Sequence, residues 1–337
     1  MAAVPLPPIT DSVIHHIGNT PLVRLKHLPQ TEGIRADILA KLEYQNAGGS
    51  VKDRVAKAMI EKAEDQGTGK PGDTLIEATS GNTVLSGIAL ALIAAVKGYK
   101  CIITISEKMS EEKVLILKAL GATIVRTPAG VPIDSPHSII SVARKLKSET
   151  PNSHILNQYG NPNNPLAHEI GTAQELWAQC DGKLDIVIAG AGTGGTVTGL
   201  SRGLRKLKGD ILVVGADPIG SVLAQPDDSN SAKAEYKVEG IGYDFVPDVL
   251  DQSAADVWVK TGDEESFKYA RRLIREEGLL CGGSSGAAVA ALIKLMQQRP
   301  EMNRSDVRVV LILPDGIRNY LTKFVDDAWM ERNPLSS

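Results

Sequence analysis

The segment Asp185-Ile186-Val187-Ile188-Ala189-Gly190-Ala191-Gly192-Thr193-Gly194-Gly195-Thr196 joins a short apolar run to a glycine-rich loop. The β-branched residues at its start predict a buried strand, and the pattern from Thr196 to Leu207 predicts a helix. A strand that passes through a glycine loop into a helix is the unit from which parallel sheets are built. This segment therefore predicts an α/β fold.

The same alternation of strand and helix extends outward over most of the chain. Strands are predicted at Thr74–Ala78, Cys101–Ile105, Thr123–Arg126, His154–Asn157, Asp185–Ala189, Ile211–Ala216 and Val307–Leu313. Helices are predicted at Val84–Lys97, Glu111–Leu120, Pro136–Glu149, Pro165–Gln179, Thr196–Leu207, Glu264–Glu277 and Ala287–Gln298. The order favours mostly parallel sheets with helices on both faces. We predict a small mobile domain at 45–158 and a large domain made of 1–44 and 159–337.

Composition excludes several classes of protein. The 337 residues are 42% hydrophobic and 23% charged, with a net charge of −3, which is typical of a globular protein without a nucleic-acid partner. The longest apolar stretch, 84–96, is too short to cross a bilayer, and the proline-rich N-terminus does not resemble a signal peptide. The scattered Cys101, Cys180 and Cys281 indicate a reducing compartment. We expect a cytoplasmic protein without a membrane partner or a metal site.

Two kinds of ligand fit the loop Gly190–Thr196. Its glycines satisfy the dinucleotide pattern G-x-G-x-x-G, and Asp217 ends the next strand at about the distance expected for a ribose-binding carboxylate. The hydroxyls of Thr193 and Thr196 at a helix N-terminus make an equally good cup for one phosphate monoester. The pattern by itself leaves both a nicotinamide dinucleotide and a monoester open.

A second loop, Asn46-Ala47-Gly48-Gly49-Ser50-Val51-Lys52-Asp53-Arg54, precedes an amphipathic run at Val55–Ala63. A lysine at that helix start lies beside backbone that a ligand can approach closely, and the positive helix end lowers the pKa of its amine. Such an amine suits Schiff-base chemistry. For a lone lysine, however, the commoner interpretation is a solvated side chain on the first helical turn.

Two further loops add polar groups. The loop Thr79-Ser80-Gly81-Asn82-Thr83 follows a strand and opens a helix, where it suits either a carboxylate ligand or an ordinary N-cap. The loop Gly282-Gly283-Ser284-Ser285-Gly286 precedes the helix at Ala287, and its hydroxyls suit either a ring nitrogen or a capped turn. Together the four loops supply an amine, a carboxylate cradle, a phosphate cup and a hydroxyl partner, the set that pyridoxal phosphate holding an amino acid requires.

The chain resembles the fold-type II pyridoxal-phosphate enzymes (the tryptophan synthase β type), and within them the catalytic core of the cystathionine β-synthases. The matching segments are Gly18–Leu22, Gly48–Arg54, Thr79–Thr83, Glu107–Ser110, Leu117–Pro128, Asp134–Pro136, Gly192–Thr196, Glu239–Pro247, Gly278–Gly286 and Arg318–Lys323. The likeness runs from about Val13 to about Met330, and Glu239–Phe245 and Leu279–Ser284 are similar to the synthase branch in particular.

The resemblance implies a role for each matching residue. Lys52 would be the catalytic residue, forming the Schiff base and moving the substrate Cα proton. The cofactor-binding residues would be Lys52, Asn82 at the 3′-oxygen, Gly192, Thr193, Gly194, Gly195 and Thr196 at the phosphate, and Ser284 at the pyridine nitrogen. The substrate-binding residues would be Thr79, Ser80, Thr83 and Gln158 at the carboxylate, and Tyr159, Gly240 and Tyr243 around the incoming thiol.

The implied activity is β-replacement on serine, or on an O-activated serine, through an aminoacrylate. Condensation of serine with homocysteine to cystathionine, a step of transsulfuration, is the expected reaction. A cysteine-synthase-type reaction, another nucleophile, and a catalytically silent cofactor-binding relative are the alternatives. The resemblance also implies a homodimer. Because Met1–Asp11 contains neither Cys nor His and the chain ends at Ser337, we expect no haem and no response to S-adenosylmethionine.

The chain departs from the family's pattern at three places. Ala47 and Ala78 stand where the family has proline, and the run after Asn82-Thr83 is about three residues longer than the family's. The segment Ser135-Pro136-His137-Ser138-Ile139 replaces Ser-Pro-Glu-Ser-His. These changes flank the predicted substrate loop.

Overall fold

Two sheets carry the fold in a computed structural model, which describes residues 9–79, 84–109, 111–132, 135–226, 230, 235–333 and 335. The strands are β1 (Leu22–Arg24), β2 (Asp37–Leu42), β3 (Thr74–Thr79), β4 (Lys100–Ser106), β5 (Thr123–Thr127), β6 (Ser153–Ile155), β7 (Ile186–Gly190), β8 (Leu212–Pro218), β9 (Val257–Thr261) and β10 (Arg308–Leu313). The larger sheet has the order β1-β2-β10-β7-β8-β9, and the smaller has the order β5-β4-β3-β6. Only the pairing of β1 with β2 is antiparallel among the described strand pairs.

Helices cover both sheets. They are α1 (His27–Thr31), α2 (Lys52–Asp65), α3 (Val84–Lys97), α4 (Glu111–Ala119), α5 (Ile139–Glu149), α6 (Asn163–Ala167), α7 (Ala173–Gln179), α8 (Gly195–Arg205), α9 (Asp263–Glu277), α10 (Gly283–Gln298) and α11 (Asp327–Arg332). Among the described residues, no helix has the length and apolar character needed to cross a membrane. The predicted α/β class with mostly parallel sheets is confirmed.

Each of the seven predicted strands has a counterpart, from β3 to β8 and at β10, but β1, β2 and β9 are missing from the prediction. In β2, Lys41 interrupts the apolar run, yet its side chain is fully buried. Its amine donates to Glu175 Oε2 at 2.7 Å and to Gln179 Oε1 at 2.8 Å. Partners more than a hundred residues away therefore allow a charge inside the sheet, which a local pattern does not reveal.

Two predicted helices are corrected. The helix predicted at Pro165–Gln179 is divided by a π-helical turn at His168–Thr172 into α6 and α7. The helix predicted from Ala287 starts earlier, at Gly283. In this first turn a Cβ at Gly286 would lie 1.8 Å from Ser266 O of α9, so glycine at this position lets the two helices pack closely.

Each sheet has its own hydrophobic core. The core of the larger sheet includes Ile188, Leu292 and Leu311, and that of the smaller sheet includes Ile103 and Leu117. Ile14 and Ile17, from the segment before β1, also pack into the core of the smaller sheet. The domain boundaries at 44/45 and 158/159 stay a prediction.

Candidate active site

Lys52 is the first residue of α2, as the sequence predicts. The turn before it depends on Gly49, whose φ is +90°, and the backbone N–H of Lys52 donates to Ser50 Oγ at 3.2 Å. Lys52 borders a cavity together with Gly192, Thr193, Gly194, Thr196 and Gly240. Burial lowers the pKa of the Lys52 amine to about 8, and the nearby Asp315 acts in the opposite direction. The lowered pKa is as predicted, but burial is its main cause.

Glycines form the opposite wall of this cavity. Gly194, with φ +86°, precedes α8, and a Cβ there would lie 2.5 Å from Leu250 Cβ. A Cβ at Gly192 would lie 2.5 Å from the carbonyl oxygen of Gly240. Side chains are excluded at both positions, so the backbone itself lines the cavity where α8 begins. The free N–H groups of a helix start make such a place suited to an anion.

Two buried side chains hold the hydroxyls of this cup. Asn164 Nδ2 donates to Thr193 Oγ1 at 2.9 Å, and His168 Nε2 lies 3.3 Å from Thr196 Oγ1. Burial, reinforced by Arg54, lowers the pKa of His168 to about 3, so the imidazole is neutral. Sequence reasoning missed Asn164 and His168 because neither belongs to a glycine loop or a recognisable motif.

Ser284 lies on the first turn of α10 and is 1% exposed. Its hydroxyl has no hydrogen-bond partner among the described residues. A Cβ at Gly240, on the cavity wall, would lie 3.8 Å from Ser284 Oγ. Because a buried polar group without a partner is costly, a polar ligand atom at that point would relieve the cost.

Asp315 is a further acidic group beside the cavity, and the sequence did not single it out. It is 1% exposed and accepts a hydrogen bond from the hydroxyl of Tyr320. Its backbone pairs with Ser50, and its carbonyl accepts from the N–H of Gly282, so it joins the Lys52 loop to the Ser284 loop. Burial raises the pKa of Asp315 to about 7, against opposing contributions from Tyr320, Lys113 and Lys52.

The predicted carboxylate-binding residues are only partly described. Ser80, Asn82 and Thr83 lie outside the described residues. Thr79 is fully buried, and its hydroxyl lies 3.5 Å from the carbonyl oxygen of Thr104. Gln158 is also fully buried.

Both ends of the Gln158 amide have protein partners. Gln158 Nε2 donates to Glu77 Oε1 at 3.1 Å, and Gln158 Oε1 accepts from Ser86 Oγ at 2.7 Å. Burial raises the pKa of Glu77 to about 7, with the bond from Gln158 acting against it. These two bonds use one of the two N–H groups of the amide, so the second remains for a substrate carboxylate.

An aromatic cluster joins two residues that follow Gly240 along the chain to Tyr159. The rings of Tyr159, Tyr243 and Phe245 lie 5.2 to 5.7 Å apart between centroids. They border a second cavity together with residues 138–140 and the turn at 127–132. The structure thus brings together Tyr159 and Tyr243, which the sequence predicts to line one pocket.

Asp217, the residue on which the dinucleotide interpretation depends, is fully buried. Its Oδ2 accepts from Lys260 Nζ at 2.6 Å and from the N–H of Ala224 at 3.1 Å. Asp217 Oδ1 has no partner among the described residues, but the whole side chain is buried and Oδ2 is paired with Lys260, so a ribose hydroxyl cannot reach the carboxylate from the loop. The dinucleotide interpretation is therefore wrong for this loop.

The α/β fold and a buried lysine facing a glycine-walled cup define a class of cofactor-dependent enzyme. Residues 13–315 match the pyridoxal-phosphate dependent enzyme family, and the chain belongs to that family. The cofactor of this protein is therefore pyridoxal phosphate.

The chain is similar to several cystathionine β-synthases. It is 56% identical over 323 residues to that of Apis mellifera, covering 96% of this chain and 63% of the relative. It is 54% identical over 325 residues to that of Rattus norvegicus, covering 96% and 57%. It is 55% identical over 331 residues to that of Saccharomyces cerevisiae, covering 96% and 64%. The chain thus spans 57 to 64% of the length of these relatives.

A solved structure supports the same fold. The crystal structure of a hydrogen sulfide-producing enzyme from Fusobacterium nucleatum superposes with a TM-score of 0.83 at 33% identity. The match covers 93% of this chain and 100% of that one.

The described residues fit pyridoxal phosphate. The aldehyde of the cofactor requires an amine, which Lys52 supplies in the cavity. Its phosphate requires an anion site, which the start of α8 offers at the wall that a Cβ would fill. Its ring nitrogen requires a polar partner, and the buried Ser284 hydroxyl has none among the described residues.

Proposed function

We propose that this protein is a lyase that catalyses β-replacement on serine, or on an O-activated serine, with homocysteine as the nucleophile and cystathionine as the product. The similarity to cystathionine β-synthases over 96% of the chain supports this choice. The observation that carries the proposal is the buried Ser284 hydroxyl without a partner in the described residues, next to the cavity of Lys52.

The chemistry of Ser284 favours β-replacement over reactions that need a stronger electron sink. When bound, pyridoxal phosphate supplies the sink that makes the Cα proton of an amino acid acidic. A neutral hydroxyl does not hold the ring nitrogen protonated as a carboxylate would. Ser284 therefore limits the stabilisation of a carbanion, and departure of the β-substituent becomes the preferred outcome.

Lys52 would move the protons of the reaction. Because the pKa of its amine is lowered to about 8, a sizeable fraction is neutral near neutral pH and can accept the proton of the substrate Cα. The same amine, once protonated, returns a proton when the nucleophile has added. Burial in the cavity also keeps bulk water away from this exchange.

The remaining residues would hold the two ligands. We assign Lys52, Asn82, Ser284 and the cup Gly192, Thr193, Gly194, Gly195 and Thr196 to the cofactor, and Asn164 and His168 to the orientation of the cup's hydroxyls. We assign Thr79, Ser80, Thr83 and Gln158 to the substrate carboxylate, and Tyr159, Gly240 and Tyr243 to the pocket for the thiol. The aromatic cluster supports the assignment of the two tyrosines, since Tyr159 and Tyr243 border one cavity.

We also propose a cytoplasmic homodimer without a nucleic-acid or membrane partner. The buried free cysteines Cys101, Cys180 and Cys281 support a reducing compartment, and the dimer rests on the family resemblance. Equilibrium sedimentation that shows only monomer would remove the dimer from the proposal.

The experiment that tests the activity is a substrate panel. Purified protein loaded with pyridoxal phosphate is incubated with serine or O-acetylserine against homocysteine, sulfide, other thiols and amines, and the products are identified by mass spectrometry. Cystathionine from serine and homocysteine is the expected result. A visible spectrum that does not change on addition of serine, with no product from any pair, favours the catalytically silent alternative.

A second candidate is release of hydrogen sulfide from cysteine, and the Fusobacterium enzyme favours it as a structural relative. Cysteine supplied as the first substrate tests this candidate directly. Sulfide formed at a rate above that of cystathionine formation would make it the principal activity.

A further inference from the structure

Glu239 accepts hydrogen bonds from two lysines that belong to different parts of the fold. Lys113 Nζ, on α4, lies 2.7 Å from Glu239 Oε2, and Lys323 Nζ contacts Glu239 Oε1. The side chains of Lys113 and Glu239 are only 3% and 12% exposed. An ion pair shielded in this way is stronger than one on the surface, and removal of one partner leaves a charge in a poorly solvated place.

The two lysines connect Glu239 to both halves of the molecule. On α4, Val114 and Leu117 are part of the core of the smaller sheet. Next to Lys323, Phe324 stacks on Phe267 of α9 with ring centroids 5.2 Å apart. The carboxylate of Glu239 is therefore the meeting point of a helix from the smaller sheet and the C-terminal segment that packs on α9.

Glu239 also adjoins the cavity of Lys52, since the next residue is Gly240. The Gly240 carbonyl fills the space that a Cβ at Gly192 would need, and the N–H of Gly242 donates to Ala191 O at 2.8 Å. The wall of the cavity thus continues directly into the residue that holds the two lysines.

A second line of contacts leads from Lys113 to the same cavity. Its ammonium lies 5.2 Å from the ring centroid of Tyr320, and the Tyr320 hydroxyl donates to Asp315 beside Lys52. A displacement of Lys113 would therefore affect both the Gly240 wall and the surroundings of Asp315.

We propose that Glu239 is a positioning residue that holds α4, and with it the smaller sheet, against the Gly240 wall of the cofactor site. It does not touch the reacting atoms and acts through Gly240. The effect that we expect Glu239 to have on activity rests on the proposed function of the site. The effect of Glu239 on the Gly240 wall does not depend on which reaction the protein catalyses.

The test uses the full chain loaded with pyridoxal phosphate and the variants Glu239→Gln and Lys113→Met. Lys97→Met is the control, because Lys97 makes a short but more exposed pair with Glu64, at 2.5 Å, between α3 and the last turn of α2 and away from Gly240. Two rates are measured in each: amide hydrogen exchange of the peptide containing Gly242, and dissociation of the cofactor followed by its visible absorbance.

Both rates should rise about tenfold in Glu239→Gln and Lys113→Met, as expected for loss of one partner of a shielded pair, and stay at the parent value in Lys97→Met. The double variant Lys113→Met/Glu239→Gln should be no worse than Glu239→Gln alone, because the two residues act as one unit. Glu239→Asp keeps the charge, so both rates should rise less in it than in Glu239→Gln. This variant is used if Glu239→Gln folds poorly.

The proposal would be overturned if the amide exchange rate at Gly242 stays at the parent value in both Glu239→Gln and Lys113→Met. It would also be overturned if Lys97→Met raises that rate by the same factor. Failure of the proposed function gives a different result. In that case the loaded parent protein forms no cystathionine from serine and homocysteine, while the exchange rate at Gly242 still decides the role of Glu239.

Discussion

Ser86 Oγ donates a 2.7 Å hydrogen bond to Gln158 Oε1, and both side chains are buried. Ser86 lies near the start of α3, in the run that the sequence predicts to be about three residues longer than the pattern of the family. The bond holds the amide so that its Nε2 faces Glu77. A residue of the longer run thereby restrains the glutamine that we assign to the substrate carboxylate.

The first prediction concerns this restraint. In Ser86→Ala the amide of Gln158 is free to turn its N–H groups toward a carboxylate, so we expect KM for serine to fall about threefold with little change in kcat, the pattern of altered ground-state binding. Steady-state kinetics over a serine titration measure both constants. The exposed Ser148→Ala is the control, and a KM that rises or stays constant in Ser86→Ala contradicts the prediction.

The second prediction concerns Lys52. Borohydride reduction of the holoenzyme should attach the cofactor covalently to the peptide that contains Lys52, because only a neutral amine there can bond to the aldehyde. Lys52→Ala should lose both the label and nearly all activity. Lys57→Ala, on the same helix, should keep both. Peptide mass spectrometry locates the label, and a label on any other lysine refutes the assignment.

The third prediction uses the hydroxyl of Ser284. Ser284→Ala removes a buried polar group that has no partner among the described residues, so the cofactor-free protein should gain about 1 kcal/mol of unfolding free energy. The same change should weaken cofactor binding, because the ring nitrogen then loses its partner. Denaturant unfolding of the cofactor-free protein and a titration with pyridoxal phosphate measure the two effects. If Ser284→Ala lowers both the unfolding free energy of the cofactor-free protein and its affinity for the cofactor, Ser284 has only a structural role.

The fourth prediction concerns pH and Glu77, whose pKa burial raises from 4.5 to about 7. Between these values the unfolded chain has lost the proton while the folded protein retains it, so the contribution of Glu77 to stability falls as pH rises toward 7. The total loss should be up to about 3 kcal/mol, at about 1.4 kcal/mol for each pKa unit. Above pH 7 the contribution should level off.

Urea unfolding of the parent and of Glu77→Gln at pH 5 and pH 8 tests this sign. The difference in unfolding free energy between the two proteins should shift in favour of Glu77→Gln at pH 8. If the shift favours the parent instead, Glu77 is ionised in the folded protein and pairs with a cation.

Local patterns in the sequence are enough to predict much of this fold. The strands β4, β7, β8 and β10 are largely buried apolar runs, and such runs are visible without knowledge of their neighbours. The loops around Lys52 and Gly192–Thr196 are equally local, because a tight turn or a close backbone approach needs glycine at given positions. The family likeness follows from the same short segments.

Contacts between distant segments are decided only by tertiary structure. Lys41 lies within β2 because Glu175 and Gln179 satisfy its amine. The first turn of α10 packs closely on α9 because Gly286 has no Cβ to clash with Ser266 O. Asn164 reaches Thr193, and Glu239 receives Lys113, across 29 and 126 residues of chain. Such pairs have no periodic signature, since packing of separate elements, and not the conformation of either segment, brings their side chains within hydrogen-bonding distance.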